Sequence, residues 1–189
     1  MIDHSLKRVV EHIDITNYDV TDLVRELRAT SFTSREIYNA CHLYKQMLEE
    51  EELTVILTIA GSTQAAGCLK LYRDLVRYNM VDIIVATGAS IIDMDLFEGL
   101  GNRHYIGSSK ADDNILRENY VDRIYDTYIS EDDLKQVDNF IKDFADRNCS
   151  WKIQSSREFL NLLGWHTRTS NSLVQECYKE DVPIFCPAL

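Results

Sequence analysis

The chain has 189 residues, 45% hydrophobic and 10% aromatic, which suffices for one domain with a sizeable core and excludes a disordered segment. Its formal net charge of −11, from 31 acidic and 20 basic residues, argues against sequence-independent binding of nucleic acid. No apolar run approaches the roughly 20 residues that span a bilayer, and the charged opening MIDHSLKRVVEHIDI has no signal-peptide block, so the expectation is a cytoplasmic protein without membrane or nucleic-acid partners.

Residues 19–30 place Val20, Leu23, Val24 and Leu27 at helical spacing. Thr33-Ser34-Arg35-Glu36 reads as a capping box, the Thr33 hydroxyl taking the Glu36 N–H. It opens a helix to about Glu50 with Ile37, Cys41, Tyr44 and Leu48 on one face. Residues 53–60 (LTVILTIA) predict a buried strand, and 62–78 a helix with Leu71, Leu75 and Val76 inward. A second strand follows over 81–86 and a short helix over 92–100, with weaker strand signals at 103–106 and 123–129. Ser130 caps a helix to about Asn148 whose stripe is Leu134, Val137, Phe140, Ile141 and Phe144. Ser155-Ser156-Arg157-Glu158 is a second capping box, 171–180 a further helix and 182–186 a last strand. Strands alternating with helices predict an α/β fold: a mostly parallel, Rossmann-like sheet with helices on both faces, behind an N-terminal helical extension. Two prolines and seven glycines leave little room for a linker, so 1–189 reads as one domain, a helical lead-in over 1–52 and an α/β core over 53–189.

The strands LTVILTIA and VDIIVATG each end in small residues before a helical pattern begins. In an open α/β sheet, ligands bind at the carboxyl ends of strands beside helix N-termini, where small residues let backbone N–H groups approach an anion. The pair reads either as a nucleotide or phosphate cradle or as two ordinary strand–turn–helix junctions. G-x-G-x-x-G, P-loop and G-x-S-x-G signatures are absent, so any dinucleotide is held by a different arrangement. Five cysteines, odd in number and without a C-x-x-C pair, predict buried reduced thiols and no metal site. None of His4, His12, His42, His104 and His166 has metal-ligand spacing; His104, after the Gly101-Asn102 turn, either faces the cleft or is a structural histidine. Trp151 and Trp165 read as packing residues. The acidic excess suits a cationic ligand, a polyamine or a basic protein patch among them, and equally serves solubility.

IAGSTQAAG, LVRYNMVDIIVATGAS, LRENYVDRIYDTYIS and VPIFCPAL, in that order after the opening HIDITNYDVTDLVRELRATSFTSREIYNACHLYKQML, resemble the N-terminal half of the deoxyhypusine synthase family. The resemblance implies an NAD-dependent transferase. Such enzymes oxidise spermidine, pass its butylamine portion through an imine on an active-site lysine, and deliver it to a lysine of translation initiation factor 5A. Related proteins use another amine, and some make homospermidine. Homotetramers with sites between two subunits are implied as well.

By that correspondence Gly61, Ser62, Thr63, Gln64 and Ala65 form the NAD-contacting loop after the first strand, although the family's Ser-Asn-Leu or Gly-Ala-Leu pattern is not kept. Thr87, Gly88 and Ala89 match the Thr-Ala-Gly or Thr-Gly-Ala element after the second. The acidic pair that meets a polyamine amine corresponds to Ile92-Asp93, so either Asp93 or Asp95 takes that role, with Asp93 preferred. The resemblance puts the imine-forming lysine, and the polyamine-binding His and Trp, beyond Leu189. Lysines such as Lys45, Lys135 and Lys142 sit in charged helical contexts and read as surface cations. No catalytic residue is therefore assigned within the chain, which is expected to be inactive alone. Two alternatives stand beside this reading. One is a non-catalytic regulatory or scaffold subunit pairing with a complete paralogue in a homo- or hetero-oligomer. The other is a stand-alone dinucleotide-binding domain with unrelated chemistry.

Overall fold

The structure is a computed structural model that describes residues 7–9, 12, 16, 20–149, 154–167 and 171–187. The elements in order are β1 (Arg8–Val9), α1 (Thr21–Glu26), α2 (Thr33–Glu49), β2 (Ile56–Ile59), α3 (Leu69–Arg77), β3 (Ile83–Ala86), α4 (Phe97–Gly99), β4 (Tyr105–Ile106), α5 (Asp113–Glu118), β5 (Val121–Ile124), β6 (Thr127–Ser130), α6 (Glu131–Asn148), α7 (Ser156–His166), α8 (Leu173–Lys179) and β7 (Ile184–Phe185).

Three strands form a parallel sheet in the order β2-β3-β7, with Ile59 opposite Ala86 and Ile84 opposite Ile184. Parallel neighbours need a crossover, and α3 supplies it between β2 and β3. The fold is α/β, as the alternation of elements predicts. The main core gathers Ile84 and Val76 with Ile91, Leu96, Phe97, Leu163 and Leu173. Helix α8 packs on both α3 and α7.

A second sheet, antiparallel and ordered β1-β4-β6-β5, is absent from the sequence expectation. The single strand expected over 123–129 is instead the β5–β6 hairpin, in which Val121 pairs with Ser130 and Ile124 with Thr127. Its tight turn uses Tyr125 at φ 54, where glycine or asparagine is the usual occupant. This sheet has its own small core of Leu116, Val121 and Tyr128.

Other expectations change in detail. The strand over 53–60 shortens to β2, an edge strand with Ile56 54% exposed, so only its Val55 and Ile59 side is buried. The helix over 62–78 is broken at Gly67, whose φ of 100 separates a wide turn (Gln64–Cys68) from α3. The Thr33 capping box does not form. Phe32, at φ 57 and 92% exposed, stands at the cap position, and no side-chain hydrogen bond caps α2. The α2 face expected inward is largely exposed, and only Tyr44 and Met47 pack on the core. Of the cysteines only Cys177 and Cys186 are buried, and Cys41 is exposed. Trp165 is exposed rather than packed inside, whereas Trp151, His4 and Leu189 lie outside the described residues. The expected caps at Ser130 and Ser155 are present, the latter as a complete box with Glu158.

Candidate functional site

Strands β2 and β3 run parallel in register, so their carboxyl ends reach the same edge of the sheet. The 61–65 and 87–89 segments therefore leave the sheet side by side, joined first by the Thr87 N–H donating to the Ile59 carbonyl at 3.3 Å. Ser90, fully buried, fastens them further: its hydroxyl donates to the Gly61 carbonyl at 3.1 Å and lies 2.9 Å from Thr87 Oγ1. Thr87 Oγ1 also accepts from the Ser90 N–H at 3.3 Å. Sequence reasoning missed Ser90, although a hydroxyl three residues after Thr87 is the spacing at which such side chains tie a turn to a helix start.

The shelf so formed is open. Gly61, Thr63, Thr87 and Ala89 are exposed, while Ser62 and Gly88 are half-buried. Gly61 has φ 71, which favours glycine, and a Cβ built there meets nothing within 4 Å. Thr63 Oγ1 accepts from the Tyr72 hydroxyl at 2.9 Å. Ala65 and Gln64 are buried behind the shelf, and neither end of the Gln64 amide has a hydrogen-bond partner. Exposed backbone with small side chains and free space is compatible with close approach of a dinucleotide's phosphates.

The two acidic candidates separate. Asp93 lies in the first turn of the wide helix (Ser90–Leu96) that leaves the second junction, and is half-buried. Burial raises its pKa, and the charge of Asp138 adds to the rise. Asp95 has no exposed surface, and its oxygens accept from the Ser172 hydroxyl at 2.8 Å, the Leu173 N–H at 2.5 Å and the Val174 N–H at 3.0 Å. Burial pushes its carboxyl up to about 6 against the opposing pull of those hydrogen bonds. Asp95 is thus an internal cap of α8, and its assignment to an amine is corrected. Asp93, by contrast, keeps part of its surface open beside the second junction.

Behind the shelf, charged groups lock α3 to α8. Arg77 pairs bidentately with Glu176 at 2.9 and 3.0 Å, and within α3 Lys70 meets Asp74 at 3.1 Å. Arg73 is buried among them, which lowers its pKa. His104 is a structural histidine: it is buried, and its Nδ1 lies 2.7 Å from Glu98 Oε1. Its ring packs at 4.9 Å on Phe97.

Fold and site together define an α/β protein with a backbone shelf at the carboxyl ends of two adjacent parallel strands. The deoxyhypusine synthase family model matches residues 22–189, and the chain belongs to that family. It is 50% identical over 188 residues to a deoxyhypusine synthase-like protein of Coxiella burnetii, covering 97% of this chain and 53% of the relative. The like-named protein of Caulobacter vibrioides is 45% identical, with 97% and 51% covered. A probable deoxyhypusine synthase 2 of Methanosarcina mazei is 36% identical, with 94% and 52% covered. The chain spans about half the length of the curated relatives it matches. A crystal structure bearing the deoxyhypusine synthase name, from Entamoeba histolytica, shares the fold at TM-score 0.65 and 21% identity, over 95% of this chain and 62% of that one.

Proposed function

We propose that these 189 residues form one unit, the cofactor-shelf half of a deoxyhypusine synthase-type transferase. NAD lies against Gly61, Ser62, Thr63, Gln64 and Ala65 on one side and Thr87, Gly88 and Ala89 on the other. Asp93 faces the ammonium of spermidine or another amine. An aminobutyl group passes to a lysine of translation initiation factor 5A or to another amine, and the imine-forming lysine comes from outside these residues. NAD supplies a hydride acceptor for the amine-bearing carbon. The chain's own contribution is positional: its open backbone receives phosphate, Ser90 fixes the spacing of the two segments, and Asp93 offers a charge that a cation relieves. The observation carrying the reading is the Ser90 hydroxyl bridging both junctions.

NAD titration of the chain, followed by calorimetry, tests it. Saturable binding is expected, weakened about tenfold in Ser90→Ala, at the usual loss of about 1.4 kcal/mol for a tenfold change. Absence of saturable binding, or equal affinity in Ser90→Ala, overturns it. The alternative of a non-catalytic subunit pairing with a complete paralogue is favoured by the apolar side chains left exposed on α1 and α2, Leu23, Ile37 and Leu43 among them. Its test is co-purification with such a paralogue and an altered turnover of that partner.

A further inference from the structure

A buried titratable cluster that the shelf does not use joins the lead-in, α4 and the segment before β4. Glu98, in α4, is buried, and each of its carboxylate oxygens meets a different imidazole. His104 Nδ1 lies 2.7 Å from Oε1, and His12 Nε2 lies 2.5 Å from Oε2. His12 comes from the lead-in, three residues after β1. That strand contributes two register pairs, Arg8 with Ile106 and Val9 with Tyr105, too few to hold a strand on their own. A carboxylate shared by two imidazoles favours at least one of them charged, because a buried negative charge without a counter-charge is costly.

We propose that His12–Glu98–His104 is a proton-controlled clasp that fastens the lead-in strand to the helix leaving the second junction. The charged groups facing His12 are Glu98 and, from α3, Arg73; those facing Glu98 are His12 and His104. Burial and Arg73 work against an imidazolium at position 12, while Glu98 and the Gly67 backbone favour it, and the balance raises its pKa above 6.5. The sign follows. A histidine whose folded pKa is raised stabilises the fastened state fully below the ordinary value and loses that contribution as pH rises through the folded one. The clasp is therefore tight from mildly acidic to near-neutral pH and slackens on the alkaline side. Because the Gly67 backbone borders His12, slackening reaches the kink that ends the first junction's wide turn.

Amide hydrogen exchange of the full chain, read by NMR from pH 5.5 to 9 and corrected for intrinsic rates, tests the clasp without NAD. The expected result is β1 and β4 protection that is level below pH 6.5 and then falls by as much as about tenfold per pH unit until His12 has deprotonated. Amides of β2 and β3 serve as the internal control and stay level. Glu98→Gln and His12→Gln each lower β1 protection at acidic pH and remove its pH dependence. Wild-type protection that ignores pH, or a Glu98→Gln chain that keeps the wild-type profile while β2 and β3 remain protected, overturns the clasp. Failure of NAD binding leaves these readouts untouched, so the two proposals fall separately.

Discussion

Asp95→Ala separates a structural carboxylate from a ligand-binding one. Three donors converge on Asp95: the Ser172 hydroxyl and the N–H groups of Leu173 and Val174, all buried. Alanine leaves these donors without acceptors at the start of α8. Each buried orphan costs about 1–3 kcal/mol, while removing the carboxylate relieves its own desolvation, so the net loss is about 3–5 kcal/mol. A domain of this kind holds about 5–15 kcal/mol in total, so the variant sits near its unfolding threshold. With a urea slope of about 2 kcal/mol/M, the midpoint falls by about 2 M. Urea denaturation followed by far-UV circular dichroism measures this, with slope compared between variant and parent. A loss under about 1 kcal/mol with weakened amine binding would falsify the internal-cap assignment and return Asp95 to the site.

Three further outcomes are expected. Gly107→Ala would place a Cβ 2.2 Å from the Tyr128 ring, so the small antiparallel core must shift, at about 1–3 kcal/mol and with a changed tyrosine signal in near-UV circular dichroism. Gly67→Ala must hold an alanine at φ 100, losing about 1–3 kcal/mol in thermal melts, and no loss there would mean that α3 runs unbroken into the wide turn. Burial alone would raise the Glu98 carboxyl, but hydrogen bonds from His104 and His12 outweigh it and hold it at about 2 instead of 4.5. Its stabilisation is thus present above pH 4.5 and lost as pH falls towards 2, about 3 kcal/mol in all, and Glu98→Gln flattens that acid limb in denaturation curves.

Much of the fold is written in local sequence. The run VDIIVA, apolar and rich in β-branched residues, becomes β3, and the Ser155–Glu158 and Ser130 caps start helices where they stand. The failures have local causes too. At the start of α2 the Glu36 N–H expected at the Thr33 hydroxyl donates instead to the Phe32 carbonyl at 3.2 Å, while the Arg35 guanidinium ties back to the Thr30 carbonyl at 2.7 Å. The β5–β6 hairpin carries no glycine or asparagine at Tyr125, so its turn left no signal of the usual kind. Asp93 and Asp95 are two residues apart and chemically identical. Partners 77 to 79 positions away, Ser172, Leu173 and Val174, distinguish them, and no local pattern contains that information.

The same division explains why the two small-residue junctions were legible while their supports were not. The junctions are marked in sequence by their small residues, Gly61 at φ 71 among them. What restrains the junctions and the elements around them is a set of buried polar side chains: Ser90 across the two junctions, Asp95 and Glu176 between the helices behind them, Glu98 under the lead-in. The bonds from these side chains that cross between elements, Ser90 to Gly61, Asp95 to Leu173, Glu176 to Arg77 and Glu98 to His12, join residues 29 to 99 positions apart. Spacing rules describe a few turns of chain, so they find the open backbone and are blind to what holds it in place.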